Sequence, residues 1–197
     1  MEEHDYLAEK DEKLVALALE NAGVYRFLVA RYEQRLFRYI MTIAKITRAD
    51  AEDILQTVFL KAYQNLNDFD PDLKFSSWIY RIAHNETISH LRRFRWHRTR
   101  NTELDETLAE TLRSDSDIEQ ELSQKYRAAA VRLALQGLDG KYREVLVLRY
   151  LEDRDYREIS DILKKPVGTV ATLLSRAKRQ LREKVAGEKF FTDVTHG

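Results

Sequence analysis

Apolar side chains recur every three or four positions along most of the chain, which is the spacing of one helix face. The clearest case lies within residues 50–66, where the apolar face is formed by Ala51, Ile54, Leu55, Val58 and Ala62. The same spacing predicts two helices within residues 12–47 and a longer one from Ser76 or Ser77 to about Arg98. Because no segment alternates in the manner of a strand, we expect an all-α fold.

The apolar pattern is broken by a predicted loop at residues 67–74 (NDFDPDLK) and is lost over one longer segment. Residues 99–122 are rich in Thr, Ser, Asp and Glu and carry no continuous apolar face, which predicts a flexible acidic linker. Helical periodicity then resumes. We therefore predict two small helical domains, at residues 1–98 and 123–186, and a short tail at residues 187–197.

The second predicted domain contains a helix-turn-helix pattern between Asp155 and Arg182, which reads DYREISDILKKPVGTVATLLSRAKRQLR. A short amphipathic helix ends at a turn containing Pro166 and Gly168, and a longer helix follows. The positions expected to pack inward are Val170, Leu174, Ala177 and Leu181, against Ile159, Ile162 and Leu163. A basic helix presented after a short turn is typical of proteins that read the DNA major groove.

The outer face of that longer helix carries hydroxyl and basic side chains. These residues are Thr169, Thr172, Ser175, Arg176 and Arg179, flanked by Lys178 and Arg182. Short hydroxyl side chains let the backbone approach base edges, and arginine pairs with guanine through two hydrogen bonds. We expect Lys178, Arg179 and Arg182 to bind mainly phosphates. The alternative is a solvated basic helix without a partner.

Two further polar stripes occur in the first predicted domain. One combines an aromatic ring, arginines and an amide at helical spacing, and consists of Trp78, Arg81, Asn85, Ser89 and Arg92. These groups suit unstacked bases, although a tryptophan here is equally often a core residue. The other lies opposite the apolar face of residues 50–66 and consists of Asp53, Gln56 and Leu60. It predicts a protein-docking face or, alternatively, an ordinary surface with one exposed leucine.

The formal net charge is zero, but it is the sum of opposed blocks. Residues 91–100 hold five arginines and no acid, residues 101–124 hold eight acids and one arginine, and residues 164–184 hold seven bases and one acid. Two basic patches separated by an acidic segment indicate two nucleic-acid contacts rather than uniformly mixed surfaces.

Several function classes are disfavoured. The chain has no cysteine, so it can form neither a disulfide nor a thiolate metal site. It shows no Gly-rich phosphate loop and no nucleophile motif, and its histidines lack metal-ligand spacing, so we expect no enzyme, no metal and no cofactor. His84 and His90 are expected on helix surfaces. No membrane-spanning run or signal peptide is visible, which predicts a cytoplasmic protein without membrane insertion.

Taken jointly, these motifs resemble the extracytoplasmic-function (ECF) class of bacterial sigma factors. The segments 51–63 (AEDILQTVFLKAY) and 75–85 (FSSWIYRIAHN) resemble sigma region 2, and the segments 138–150 (LDGKYREVLVLRY) and 155–182 resemble region 4. The resemblance implies a non-enzymatic initiation factor that binds core RNA polymerase through its β′ clamp helices. It also implies double-stranded contact at the −35 element, single-stranded contact at the −10 element and a possible anti-sigma partner.

The resemblance also assigns roles to individual residues. Asp53 and Gln56 would contact the clamp, whereas the −10 region would meet Lys61, Arg81, Asn85 and Ser89, with Asn85 holding a flipped base. Phe69, Asn67 and Asp68 would form the wall of the pocket for that base. Bases of the −35 element would face Ala171, Thr172, Ser175 and Arg176, and its phosphates would face Arg149, Lys178 and Arg179. The acidic linker would thread through the polymerase.

The chain departs from the family pattern at Ala171 and Leu173, where members usually carry basic residues. A different function also fits part of the sequence. A helix-turn-helix repressor or activator acting alone would explain residues 140–184, but it would leave the Trp78–Arg92 stripe and the Asp53–Leu60 face without a role.

Overall fold

The computed structural model describes residues 3–100, 131 and 133–187. The N-terminal half, residues 3–100, contains helices α1 (Glu3–Ala8), α2 (Asp11–Glu20), α3 (Tyr25–Ile43), α4 (Arg48–Gln64) and α5 (Phe75–Arg100). Short 3-10 turns lie at Ala22–Val24 and Leu66–Asp68. The predicted acidic linker at residues 99–122 and the tail at residues 187–197 lie almost wholly outside the described residues.

The C-terminal half, residues 131 and 133–187, begins with helical residues at 133–136. It continues with α6 (Gly140–Leu146), a π-helical turn (Val147–Leu151), α7 (Tyr156–Leu163) and α8 (Val167–Gly187). Every regular element among the described residues is therefore helical, and the all-α prediction is confirmed.

Capping side chains explain where two of these helices begin. At the start of α4, the Thr47 hydroxyl accepts a hydrogen bond from the backbone N–H of Asp50 at 3.1 Å. In return, the Asp50 carboxylate accepts one from the backbone N–H of Thr47 at 3.2 Å. Asp155 and Glu158 form the same reciprocal pair at the start of α7, at 2.8 and 2.9 Å. Such pairs satisfy amides that have no partner inside the helix.

The turn between α7 and α8 depends on one unusual backbone conformation. Lys164 ends α7 with a left-handed φ of 52°, and Pro166 precedes the first residue of α8. Proline cannot continue α7 but suits the start of the next helix. The turn thus redirects the chain so that α8 crosses α7, as the helix-turn-helix pattern predicts.

The core of the C-terminal half matches the predicted inward face. Val170, Leu174 and Ala177 of α8 are buried, as are Ile159 and Ile162 of α7. Leu181 is only partly buried, because it lies toward the open end of α8. Burial of this stripe leaves the hydroxyl and basic face of α8 directed outward.

In the N-terminal half, an aromatic cluster attaches the loop after α4 to the first turn of α5. The rings of Phe69, Phe75 and Trp78 contact one another with centroid separations of 5.6 Å. Phe69 meets each of the other two rings edge to face, and such ring pairs add stability beyond the area they bury. The cluster therefore fixes the loop relative to α5.

The two halves pack against each other through α3 and α5 on one side and α6, the π-helical turn and α7 on the other. Their buried apolar residues form one continuous cluster. Polar contacts also cross the boundary, including a hydrogen bond from Arg154 to Ser76 at 2.8 Å.

Candidate nucleic-acid and polymerase interfaces

The exposed face of α8 is the first candidate interface. Thr169, Thr172, Ser175, Arg176 and Arg179 are all exposed. Three of them, Ser175, Arg176 and Arg179, border an open groove of about 460 Å³. The full lining of this groove is Tyr156, Ala171, Ser175, Arg176, Lys178, Arg179 and Arg182. Of the two positions that depart from the family pattern, Ala171 borders this groove, whereas Leu173 packs against the core.

The cations in and near this groove differ in the contacts that they already make within the protein. Lys178 lies over the ring of Tyr150 at 5.6 Å, and a side-chain hydrogen bond with Tyr150 raises the pKa of Lys178. Arg149 is half-buried and donates to the backbone carbonyl of Arg154 at 3.0 Å. Arg149 is thus oriented by its own half, whereas Arg176 projects from the exposed face.

The stripe on α5 forms the second candidate interface. Asn85 and Arg92 are exposed and Arg81 and Ser89 are partly exposed, so these four polar side chains are accessible along one side of the helix. Trp78, at the N-terminal end of the stripe, is only 9% exposed. Its ring packs in the core, so the structure favours the core role that the sequence offered as the alternative to base stacking.

Two other residues assigned to −10 contact are engaged in internal contacts. Lys61 forms an ion pair with Glu86 at 2.6 Å, which links α4 to α5. Phe69 is 7% exposed and packs on Phe75 and Trp78, so its ring presents no open face for a base. Asn67 and Asp68 beside it are exposed. The role of Phe69 as a pocket wall stays a prediction that requires the loop to move.

The outer face of α4 is the third candidate interface. Asp53 and Gln56 are exposed, and Leu60 on the same side is 57% exposed. Beside them lies a groove of about 590 Å³ between α3 and α4, lined by Glu33, Gln34, Phe37, Arg38, Arg48, Glu52, Leu55 and Gln56. The sequence interpretation missed the α3 residues. The partly exposed Phe37, on an otherwise polar side of α3, was the available signal.

The prediction that His84 lies on a helix surface is wrong. Its ring is partly buried, with Nδ1 3.4 Å from the hydroxyl of Tyr39, and burial lowers the pKa of His84 to about 4. The nearby Lys165, from the other half, lowers this pKa further. His90 is also partly buried, with Nε2 3.6 Å from the Asp50 carboxylate. Both histidines are partly buried because other helices pack against them, and the pattern of one helix does not reveal such packing.

Two features are absent from residues 3–100, 131 and 133–187. No helix there is long and apolar enough to cross a bilayer. That same part of the chain contains no group of three His, Cys, Asp or Glu side chains placed to hold a metal ion.

Comparison with known proteins gives two family matches. Residues 28–97 match the model of Sigma-70 region 2, and residues 128–181 match that of Sigma-70, region 4. The chain is 36% identical over 146 residues to the ECF RNA polymerase sigma factor SigW of Bacillus subtilis, covering 69% of this chain and 75% of the relative. It is 30% identical over 180 residues to the RNA polymerase sigma-H factor of Pseudomonas aeruginosa, covering 88% of this chain and 92% of that relative.

Solved structures also resemble this fold. CnrH in complex with the cytosolic domain of CnrY has a TM-score of 0.67 at 25% identity, covering 91% of this chain and 99% of that one. The sigma factor RpoE of Bartonella quintana, in complex with the anti-sigma factor NepR, has a TM-score of 0.66 at 20% identity, covering 84% and 98%. At that identity the second similarity concerns the fold alone.

Proposed function

Since this chain belongs to the ECF class of the sigma-70 family, we propose that its polymerase docking and promoter recognition are divided among three helical surfaces. As a sigma factor it binds core RNA polymerase, recognises promoters and is not an enzyme. What we add is the assignment of α8 to the −35 element, the α5 stripe to the −10 element and α4 to the polymerase.

The observation that carries the −35 assignment is the exposed hydroxyl and basic face of α8. Ser175 and Arg176 border a groove that is also lined by the cations Lys178, Arg179 and Arg182. Short polar side chains beside arginine are suited to base edges, and the flanking cations are suited to phosphates. We assign Ala171, Thr172, Ser175 and Arg176 to bases and Arg149, Lys178 and Arg179 to phosphates.

The α5 stripe is suited to a single strand because its accessible groups are an amide, a hydroxyl and two arginines. Asn85 is exposed at the middle of the stripe, where an amide can pair with the edge of an extruded base. Arg81 and Arg92 lie on either side of Asn85 and can neutralise phosphates. Extruding a base costs a few kcal/mol, which these contacts must offset.

Docking on the polymerase clamp is assigned to Asp53, Gln56 and Leu60. A leucine that is 57% exposed beside a carboxylate and an amide provides an apolar centre with a polar rim, the usual composition of a protein interface. The adjoining groove between α3 and α4 enlarges this surface.

Partner and location follow from the same assignment. RpoE of Bartonella quintana was solved with an anti-sigma factor, and we propose that this chain also binds one. A protein that works with RNA polymerase on promoters acts in the cytoplasm, so we propose that location.

In vitro transcription tests the function. Purified protein would be added to core polymerase on a random promoter library, and the transcripts would be sequenced. We expect enrichment of two motifs at a fixed separation, and no sequence-specific binding of comparable strength without the polymerase. Tight specific binding by the protein alone, with no effect on transcription, would instead favour a lone helix-turn-helix regulator.

A further inference from the structure

Helix α2 lies against both ends of the loop that leads from α4 to α5. It contacts the Leu66–Asp68 turn, where the loop begins, and it contacts α5, where the loop ends. The loop carries Asn67, Asp68 and Phe69, the residues proposed to form the pocket for an extruded base. The placement of α2 therefore bears on this pocket, although no residue of α2 has been assigned to it.

One hydrogen bond joins the first turn of α2 to the first residue of α5. The Glu12 carboxylate accepts it through Oε1 from the backbone N–H of Phe75, at 3.0 Å. Phe75 is fully buried, and because it begins α5 its N–H has no partner within its own helix. Glu12 thus caps α5 from a different helix, 63 positions earlier in the chain.

The residues at the start of α5 do not supply this cap themselves. Ser76 and Ser77, which the sequence suggested as caps, lie inside the helix because it begins at Phe75. Lys74, which precedes the helix, has no acceptor in its side chain. The first turn of α5 also contains no acidic residue. The carboxylate of Glu12 therefore provides both the acceptor and the negative charge that are favourable at a helix N-terminus.

The neighbouring Asp11 holds Phe75 by a second route. The Asp11 carboxylate accepts hydrogen bonds from the Tyr32 hydroxyl and from the Arg31 guanidinium. The Tyr32 ring packs edge to face against the Phe75 ring, with centroids 5.6 Å apart. The backbone and the ring of Phe75 are therefore fixed by two adjacent acids of α2, which we call the Asp11–Glu12 pair.

Phe75 connects the Asp11–Glu12 pair to the loop. Its ring contacts those of Phe69 and Trp78 with centroid separations of 5.6 Å, and Phe69 belongs to the loop. A shift of Phe75 would therefore displace the loop and the beginning of the α5 stripe together. Binding groups must be held within about 0.5 Å of their productive geometry, so such a shift would weaken base selection.

We propose that the Asp11–Glu12 pair positions the −10 pocket, so that α2 sets how strictly the protein selects the extruded base. This step rests on the proposed function, in which α5 and its loop read the −10 element. Glu12 acts through Phe75 and is a positioning residue. Loss of its carboxylate leaves the Phe75 N–H buried without an acceptor, which favours release of the start of α5 from α2.

The test measures base preference with the full-length protein and core polymerase. Two promoters would compete in one transcription reaction, and they would differ only at the −10 position where the wild type discriminates most strongly. Their transcript ratio does not depend on how much of the protein is folded, so a general loss of stability leaves it unchanged. Glu12→Ala should lower the ratio by roughly two- to tenfold, the fold-change that corresponds to the loss of one helix cap. The same competition at the −35 element should give the wild-type ratio.

Three further variants isolate the effect of the cap. Glu12→Gln keeps an oxygen acceptor for the Phe75 N–H and should restore most of the ratio. Glu20→Ala removes an exposed carboxylate at the other end of α2 and should leave the ratio unchanged. If Glu12→Ala does not fold, Glu12→Asp shortens the side chain by one carbon and should lower the ratio in its place. An unchanged ratio for Glu12→Asp would then refute the inference.

The outcomes separate this inference from the proposed function. The inference is refuted if Glu12→Ala keeps the wild-type ratio at the −10 element, or if Glu12→Gln behaves like Glu12→Ala. An equal change of the ratio at the −35 element would also count against it, because the distortion would then be general. If the wild type itself shows no preference at the −10 element, the proposed function fails instead.

Discussion

Arg143 of α6 donates a hydrogen bond to the backbone carbonyl of Ile43, 100 positions earlier in the chain, at 3.0 Å. Its remaining guanidinium nitrogens donate to the carbonyls of Leu135, Gln136 and Leu138 at 2.9 to 3.1 Å. One buried side chain thus satisfies the last carbonyls of two separate helical segments, at the point where the halves meet. Lysine cannot replace this planar fork of donors.

The first prediction concerns this guanidinium. Arg143→Ala should lower the free energy of unfolding by about 2–4 kcal/mol, because it leaves several buried carbonyls without a donor. Arg143→Lys should recover only part of this loss. Urea denaturation followed by circular dichroism measures both. Arg157→Ala on the exposed face of α7 should stay within about 0.5 kcal/mol of the wild type. Equal effects of Arg143→Ala and Arg157→Ala would contradict the role of Arg143.

The second prediction concerns the outer face of α4. Asp53→Arg should weaken binding to core polymerase by about tenfold, or 1.4 kcal/mol, because it reverses a charge on the polar rim of the proposed docking surface. Fluorescence titration with core polymerase measures the affinity. Glu20→Arg makes the same reversal on α2 and should leave the affinity unchanged. Normal binding by the Asp53 variant would remove α4 from the docking surface.

Features formed by interactions within one helix can be predicted from the sequence, whereas features formed by residues far apart in the chain cannot. The α8 face could be predicted because Val170, Leu174 and Ala177 repeat on one helix, and their burial determines which side remains exposed. The Tyr80–Glu152 contact could not, since its partners are 72 positions apart and no local period relates them. Trp78 shows the intermediate case. Its helical position was predictable, but its burial depends on the ring of Phe69 from the preceding loop.

The third prediction concerns the α5 stripe. Asn85→Ala should impair promoter opening while binding to core polymerase remains normal, because the exposed amide is the group proposed to hold an extruded base. Permanganate reactivity of unpaired thymines measures opening. Gln64→Ala removes an exposed amide at the end of α4 and is the matched control. Permanganate reactivity at the −10 element equal to that of the wild type would remove Asn85 from base capture.

The fourth prediction distinguishes base contact from phosphate contact on α8. Arg176→Ala should cost about 1–3 kcal/mol at one base pair of the −35 element and relax preference there. Arg182→Ala should weaken binding almost equally on all sequences and reduce its salt dependence. Transcription from a library randomised at the −35 element, repeated at two salt concentrations, compares them. A loss from Arg176→Ala that is uniform over all sequences would reassign this residue to a phosphate.

The fifth prediction concerns two titratable groups with opposite effects near the boundary between the halves. Burial raises the pKa of Glu144 to about 7, although Lys165 and Arg143 partly oppose the shift, and Glu144 in turn raises the pKa of buried Tyr39. Burial lowers the pKa of His84 to about 4, with a further contribution from Lys165. The folded protein therefore retains a proton on Glu144 but excludes one from His84.

The signs of these shifts predict compensation. Between about pH 5 and 7 the folded form holds a proton on Glu144 that the unfolded chain releases, so this group stabilises the fold as pH falls. Over nearly the same range the unfolded chain protonates His84, which destabilises the fold as pH falls. Each slope is at most about 1.4 kcal/mol per pH unit, so in the wild type these two groups together should change the free energy of unfolding little with pH.

Urea unfolding from pH 5 to 8 should then give opposite slopes for the two variants. Glu144→Gln should lose stability on acidification, whereas His84→Gln should gain it. Parallel slopes, relative to a Glu20→Gln control, would contradict the assignment.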